Sequence, residues 1–149
     1  MRRTLAALGI SAVATLTACT PWMDVPGLIS PRNVVETGNV QRALDQGAVV
    51  NVFGCSPGEC TVWLAGHRST HGATFANVTS ISVGQTIRYS EGWRIGYYTV
   101  TDVEDFCCAG SGYDGPAHDL TLQTSLSNGR LRLVHAQLTR EVIVRRTPG

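Results

Sequence analysis

The sequence predicts an all-β domain, mainly antiparallel, of the barrel or sandwich kind. Three observations predict it. About seven short runs rich in β-branched and aromatic residues recur along the chain. Turn signals separate them, most clearly Asn128-Gly129, the strongest short hairpin signal. Helical patterning is confined to a turn or two over 40–47, and the chain has no internal repeat.

The elements follow in order. A chain of 149 residues with 43% hydrophobic content is one domain with a real core. All twelve basic residues are arginine; with Arg2 and Arg3 set aside, ten arginines face eleven acids. The near neutrality and the lack of a basic stripe with interleaved aromatics argue against nucleic acid as a partner. Residues 1–18 read as a lipoprotein signal peptide. Arg2 and Arg3 form a charged start, and 5–16 is an apolar stretch too short to span a bilayer. Leu16-Thr17-Ala18-Cys19 resembles a lipobox, making Cys19 the site of lipid attachment. The mature chain is then expected on the outer face of the cytoplasmic membrane, held there by its acyl chains; an ordinary secretory peptide is the plainer alternative. Residues 19–33 have the proline-rich composition of a tether, and 34–149 form the domain.

Val34-Val35 opens the first strand. Residues 40–47 form a short helix stopped by Gly47. Strands are expected over 48–53, 61–65, 86–90, 93–103, 119–124 and 131–144, with a glycine and proline turn at 54–59 and a glycine-rich loop at 106–118.

Besides Cys19, four cysteines remain: Cys55, Cys60, Cys107 and Cys108. An even number in an exported domain reads as two disulfides. Bridges tying 55/60 to 107/108 are favoured, because a Cys55–Cys60 pair leaves a strained vicinal bridge or two free thiols. A zinc site is the alternative, but neither pair has C-x-x-C spacing.

The strand over 61–65 breaks at Gly66 and hands His67 to a polar loop. A histidine at a strand end beside a glycine is where a rigid sheet presents a general acid or base, although an exposed loop histidine is the simpler reading. His67 and His71 lie four apart, but the HExxH zinc pattern needs a glutamate after the first histidine and a helix beneath both. Here Arg68 stands in the glutamate's place and Gly72 immediately follows His71, so no metal is assigned. No cofactor motif is present.

The run His67-Arg68-Ser69-Thr70-His71-Gly72-Ala73-Thr74-Phe75, preceded by Leu64-Ala65-Gly66, resembles the histidine segment of sortases. The likeness is to class E and related sortases of high-GC Gram-positive bacteria. Leu44-Asp45-Gln46-Gly47 resembles the segment that precedes their histidine strand, and Asp119-Leu120-Thr121-Leu122-Gln123-Thr124-Ser125 resembles the strand that ends at their nucleophile. The resemblance implies an eight-stranded β-barrel with one or two short helices. It implies a cysteine transpeptidase scaffold for LPxTG- or LAxTG-type sorting signals, and a cell-wall amine acceptor if the chain is active. His67 takes the place of the catalytic histidine, and Thr124 and Leu122 that of substrate contacts.

Two departures stand out. Ser125 stands where the cysteine is expected. The arginine expected four residues before His135 falls on Leu131, with Arg130 and Arg132 one residue to either side. Side chains alternate along a strand, so a bulge is needed to bring either arginine into the site. A free thiol, with a pKa near ~8.5, is partly ionised at neutral pH. A serine hydroxyl is not, and needs a hydrogen-bonded base that a third group holds in place. Asp102, Asp105 and Asp119 are the candidate orienters of His67.

The leading expectation is therefore a sortase-like surface lipoprotein, catalytically impaired, with a groove for an extended sorting-signal peptide. The alternatives are an active serine-dependent transpeptidase or hydrolase using Ser125 and His67, and a surface interaction module unrelated to peptides. Cys107 or Cys108 as a substitute nucleophile is disfavoured, since a disulfide consumes the thiol.

Overall fold

The computed structural model describes residues 20–107 and 112–144. Cys19 and Cys108 lie outside them. Eight strands form a closed barrel: β1 (Trp22–Val25), β2 (Ile29–Val35), β3 (Val49–Asn51), β4 (Val62–Ala65), β5 (Thr86–Glu91), β6 (Arg94–Phe106), β7 (Leu120–Ser125) and β8 (Leu131–Ile143). Around the barrel the order is β1-β2-β3-β4-β7-β8-β6-β5, with β5 pairing back onto β1. Six of the eight pairings are antiparallel; β2 with β3 and β4 with β7 are parallel. Among the described residues the helical content is one short helix, α1 (Val40–Asp45), and a 3-10 turn at Ala76–Ser80. The mainly antiparallel eight-stranded barrel expected from the sequence is thus present. Among the described residues no helix is long and apolar enough to cross a membrane.

The tether expected over 19–33 is corrected. Trp22–Val25 is a strand of the barrel wall, buried at all four positions, and closes the ring between β2 and β5. Composition misled because Pro21 and Pro26 flank the short strand, and Pro31 falls in β2 at the register shift between the Met23–Arg32 and Val25–Ile29 pairs, where the ladder is interrupted. Pro21 even supplies the carbonyl that accepts from the Val34 amide at 2.7 Å. Asp24, almost fully buried, is balanced by Arg88 of β5, whose Nε donates to it at 2.8 Å.

The disulfide expectation is corrected as well. Cys55 bonds to Cys60, with 5.6 Å between their Cα atoms. The turn between them folds back on itself, Glu59 N–H donating to the Ser56 carbonyl and Gly58 taking a φ of 77°. That brings the two cysteines within bridging reach without help from the distant loop. Cys107 is itself disulfide-bonded.

The barrel interior is filled from every strand, with Met23, Val49, Leu64, Phe75, Tyr89, Tyr98, Leu122 and Val134 among its members. One consequence positions the site. β7 lies parallel to β4, Leu64 opposite Leu122 and Ala65 opposite Gln123, so the two strands end side by side. The chain leaving β4 and the chain leaving β7 therefore emerge at the same rim.

Candidate active site and groove

Gly66 joins those two strand ends. Its N–H donates to the Gln123 carbonyl at 3.1 Å, and its own carbonyl accepts from the Thr124 hydroxyl at 2.8 Å. A Cβ here would stand 2.8 Å from the ring of Phe75, which is fully buried. Only glycine lets Phe75 seal the barrel directly beneath His67. The loop then closes on itself, Phe75 N–H donating to the His67 carbonyl at 2.9 Å.

His67 finds a carboxylate, but not one of the three expected. Its Nε2 lies 3.1 Å from Asp45 Oδ1, at the last residue of α1. Gln41, one turn earlier, donates to the same oxygen at 2.8 Å. The Gln41 hydrogen bond, followed by that from His67, holds the Asp45 carboxyl below the usual carboxylate range. The expected orienters are engaged elsewhere. Asp105 pairs with Arg132, Asp119 accepts from the Leu138 amide at 2.8 Å, and Asp102 lies in a cluster with Glu104 and His135. The signal that could have found Asp45 was the Leu44-Asp45-Gln46-Gly47 segment, since Gly47 ends the helix and leaves Asp45 in its last turn.

Ser125 ends β7, exposed to solvent. The β7–β8 register runs without a bulge from Leu120 opposite Ala136 to Ser125 opposite Leu131. Residues directly opposite in an antiparallel pair share a face. The neighbour of Ser125 across the sheet is therefore Leu131, at the four-residue spacing where the resemblance places an arginine. Arg132 is opposite Thr124, on the alternate face. It pairs with the Asp105 carboxylate and donates to the Thr79 carbonyl at 3.3 Å. The Arg132 hydrogen bond holds the Asp105 carboxyl below its ordinary range. Arg130 donates to the Asp105 carbonyl at 3.2 Å. Both arginines thus converge on Asp105. The guanidinium that does reach Ser125 is one the sequence did not single out: Arg68 Nε donates to the Ser125 carbonyl at 2.9 Å.

Leu122 and Thr124 face the barrel interior, Leu122 within the core and Thr124 spent on Gly66. Their alternation partners Thr121 and Gln123 face outward with Ser125, and there they line a cavity of about 440 Å³. Trp63, Phe53, Tyr113, His118 and Leu133 complete much of its wall. The Trp63 ring packs at 5.5 Å from Tyr113 and at 6.0 Å from Phe53, and its indole N–H donates to Gln123 at 2.7 Å. The cavity is a mainly apolar trough along the outer faces of β4, β7 and β8. It reaches Leu131, the cross-strand neighbour of Ser125, with residues 112–118 as its far bank.

A second histidine pair sits beneath that bank. His135 is fully buried, stacked on His118 with ring centroids 4.0 Å apart. Its Nδ1 is 2.8 Å from the Thr121 hydroxyl, and its Nε2 is 3.4 Å from the Tyr113 hydroxyl. Burial, with the neighbouring His118 second, pushes the His135 pKa below its ordinary value.

No protein-family model matches the sequence, and no curated protein does. Solved structures do. Sortase E1 from Streptomyces coelicolor, whose crystal structure has a tripeptide in the active site, superposes with a TM-score of 0.67 at 20% identity. The match covers 84% of this chain and 91% of that one. Sortase A of Listeria monocytogenes gives a TM-score of 0.70 at 18% identity, over 87% and 92% of the two chains. The SrtA sortase from Actinomyces oris gives 0.67 at 23%, over 83% and 81%. At these identities the likeness speaks for the fold, and it agrees with the strand order and closure described above: this chain is built on the sortase fold.

Proposed function

We propose that the chain is a lipid-anchored, extracytoplasmic protein that uses a sortase scaffold to hold an extended peptide, and that it does not perform efficient acyl transfer. The observation that carries this reading is the pair Ser125–Leu131. A hydroxyl replaces the expected thiol, and an aliphatic side chain occupies the sheet position directly opposite it. A tetrahedral intermediate formed at Ser125 would have no β8 guanidinium on its face, since Arg130 and Arg132 are held by Asp105. The binding half of the reading rests on the trough. Its aromatic walls suit apolar side chains, and the Gln123 side-chain amide, whose oxygen accepts from Trp63, presents its N–H groups to a peptide carbonyl. Sorting signals of the LPxTG or LAxTG type are the peptides of choice. Cys19 would carry the lipid that places the trough at the outer membrane face.

Incubation of the protein with such peptides, with and without hydroxylamine, tests this. Saturable binding that quenches Trp63 and yields no product is expected. Ser125-dependent product would overturn the impairment, and absence of binding to every such peptide would overturn the groove. Loss of palmitate labelling in Cys19→Ala checks the anchor.

A second reading has one observation in its favour, the Asp45–His67 contact, which supplies the third group that a serine nucleophile needs. A fluorophosphonate adduct on Ser125 that disappears in His67→Ala would establish it.

A further inference from the structure

The rim beside the trough carries a cluster that peptide binding does not use. Asp45 at the end of α1, His67 after β4 and His71 in the next loop converge from three segments. His67 Nε2 is 3.1 Å and His71 Nε2 is 3.8 Å from the same oxygen, Asp45 Oδ1. The three candidate donor atoms all lie within 4.8 Å of one another. Donors at zinc bonding distance in a tetrahedral site stand roughly 3.4 Å apart. The two carboxylate–imidazole separations bracket that spacing. We propose that Asp45, His67 and His71 form an open site for a divalent cation of the zinc class, with its remaining coordination position turned to solvent.

The donor chemistry selects the cation. Two imidazoles and one carboxylate suit zinc and its first-row neighbours, whereas calcium and magnesium take oxygen donors. The accessibility fits an open position: the His71 and Asp45 side chains are about half exposed, at 46% and 47%. The loop that delivers His71 is built for the task. His71 and Ala73 adopt φ of 49° and 48°, in the left-handed region that non-glycine residues rarely occupy. The strained loop is clamped to the end of α1. The Thr74 hydroxyl donates to the Gly47 carbonyl at 2.7 Å, and a Cβ at position 47 would stand 2.6 Å from the His71 carbonyl oxygen. Gly47 is thus required for the close approach that sets His71 beside Asp45. Gln41, donating to Asp45 Oδ1, supplies the outer hydrogen bond that orients a ligating carboxylate.

The cation would take the Nε2 lone pair of His67. The ring proton that now faces Asp45 then resides on Nδ1, so no net proton is lost from a neutral histidine. The ring that acyl transfer would need as an acid becomes a ligand. This site stands independently of peptide binding, and the two readings can fail separately.

Titration of the metal-free protein with Zn²⁺ by calorimetry, and with Co²⁺ by visible absorption, tests the proposal. One equivalent of each is expected, with the cobalt d–d bands of a low-coordinate site. Asp45→Asn and His71→Ala should each weaken binding at least about ten-fold, and Gln41→Ala about ten-fold. Glu104→Gln, at the separate cluster around His135, should leave binding unchanged. Circular dichroism confirms that the surface variants remain folded. Absence of saturable binding, or affinity that is the same in Asp45→Asn and His71→Ala as in the parent, overturns the proposal.

Discussion

Replacing Ser125 by cysteine is not expected to restore acyl transfer, because the sheet position facing it is wrong as well. The structure allows the size of each deficit to be worked. At pH 7 a thiol with a pKa near 8.5 is about 3% thiolate, enough for a nucleophile that a serine cannot match without a tightly coupled base. The second deficit is the missing donor opposite. Leu131 shares the face of Ser125, and no bulge shifts the register. Loss of one oxyanion-stabilising donor costs about 10²–10³ in rate, roughly 3–4 kcal/mol. Ser125→Cys alone should therefore turn over sorting-signal peptide about 10²–10³-fold more slowly than Ser125→Cys combined with Leu131→Arg. Leu131 is half-buried at the trough, so an arginine there can lay its stem on the apolar wall and present its guanidinium at the rim. The assay is hydroxylamine-dependent release from a fluorescence-quenched peptide, run with chelator so that His67 carries no metal. Equal rates for the single and double variants would refute the reasoning and shift attention to Arg68, the guanidinium that already touches the Ser125 carbonyl. Arg132→Leu tests the face assignment from the other side. It should disturb the Asp105 pair and leave the double variant's turnover largely intact.

Three further outcomes follow from the packing. Gly66→Ala drives a Cβ into the buried Phe75 ring and should cost about 1–3 kcal/mol, lowering the melting temperature by roughly 3–9 °C. Removing the Cys55–Cys60 bridge as a double serine variant should cost up to about 2 kcal/mol, the loop-closure value for so short a ring, measured by urea denaturation. Because burial lowers the His135 pKa, the unfolded chain binds this proton more readily than the folded one. The stability it contributes is complete above the ordinary histidine value of about 6.5 and is lost as the pH falls through the folded value. Melting temperature should thus be lower at pH 5 than at pH 7, and His135→Gln should flatten that slope. An unchanged slope in the variant would contradict the assignment.

Much of the barrel could be read from the residues because its long strands are regular. β6 and β8 each run for 13 residues, and their β-branched and aromatic content survives every local irregularity. The Asn128-Gly129 turn between β7 and β8 was legible for a similar reason, since Gly129 takes the positive φ such a turn requires. β1 was not legible. Four residues are too few to show a period, and Asp24 argues against burial until Arg88 is seen beside it. The disulfide went astray on topology. A turn tight enough to bring Cys55 to Cys60 is a backbone event that cysteine spacing does not encode.

The site divides along the same line. The sequence by itself determined the chemical inventory: a histidine at a strand end, a serine where a thiol is expected, and arginines flanking a leucine. It could do so because these are identities, and identity does not depend on the fold. Only the tertiary structure decided who faces whom. An unbroken β7–β8 register set Leu131 against Ser125 and sent Arg130 and Arg132 to Asp105. The end of α1 set Asp45 beside His67 at a sequence separation of 22, and a strained loop brought His71 to the same oxygen. Such contacts depend on sheet register and loop closure, which are fixed by the packing of the whole barrel, not by the few residues that meet at its rim.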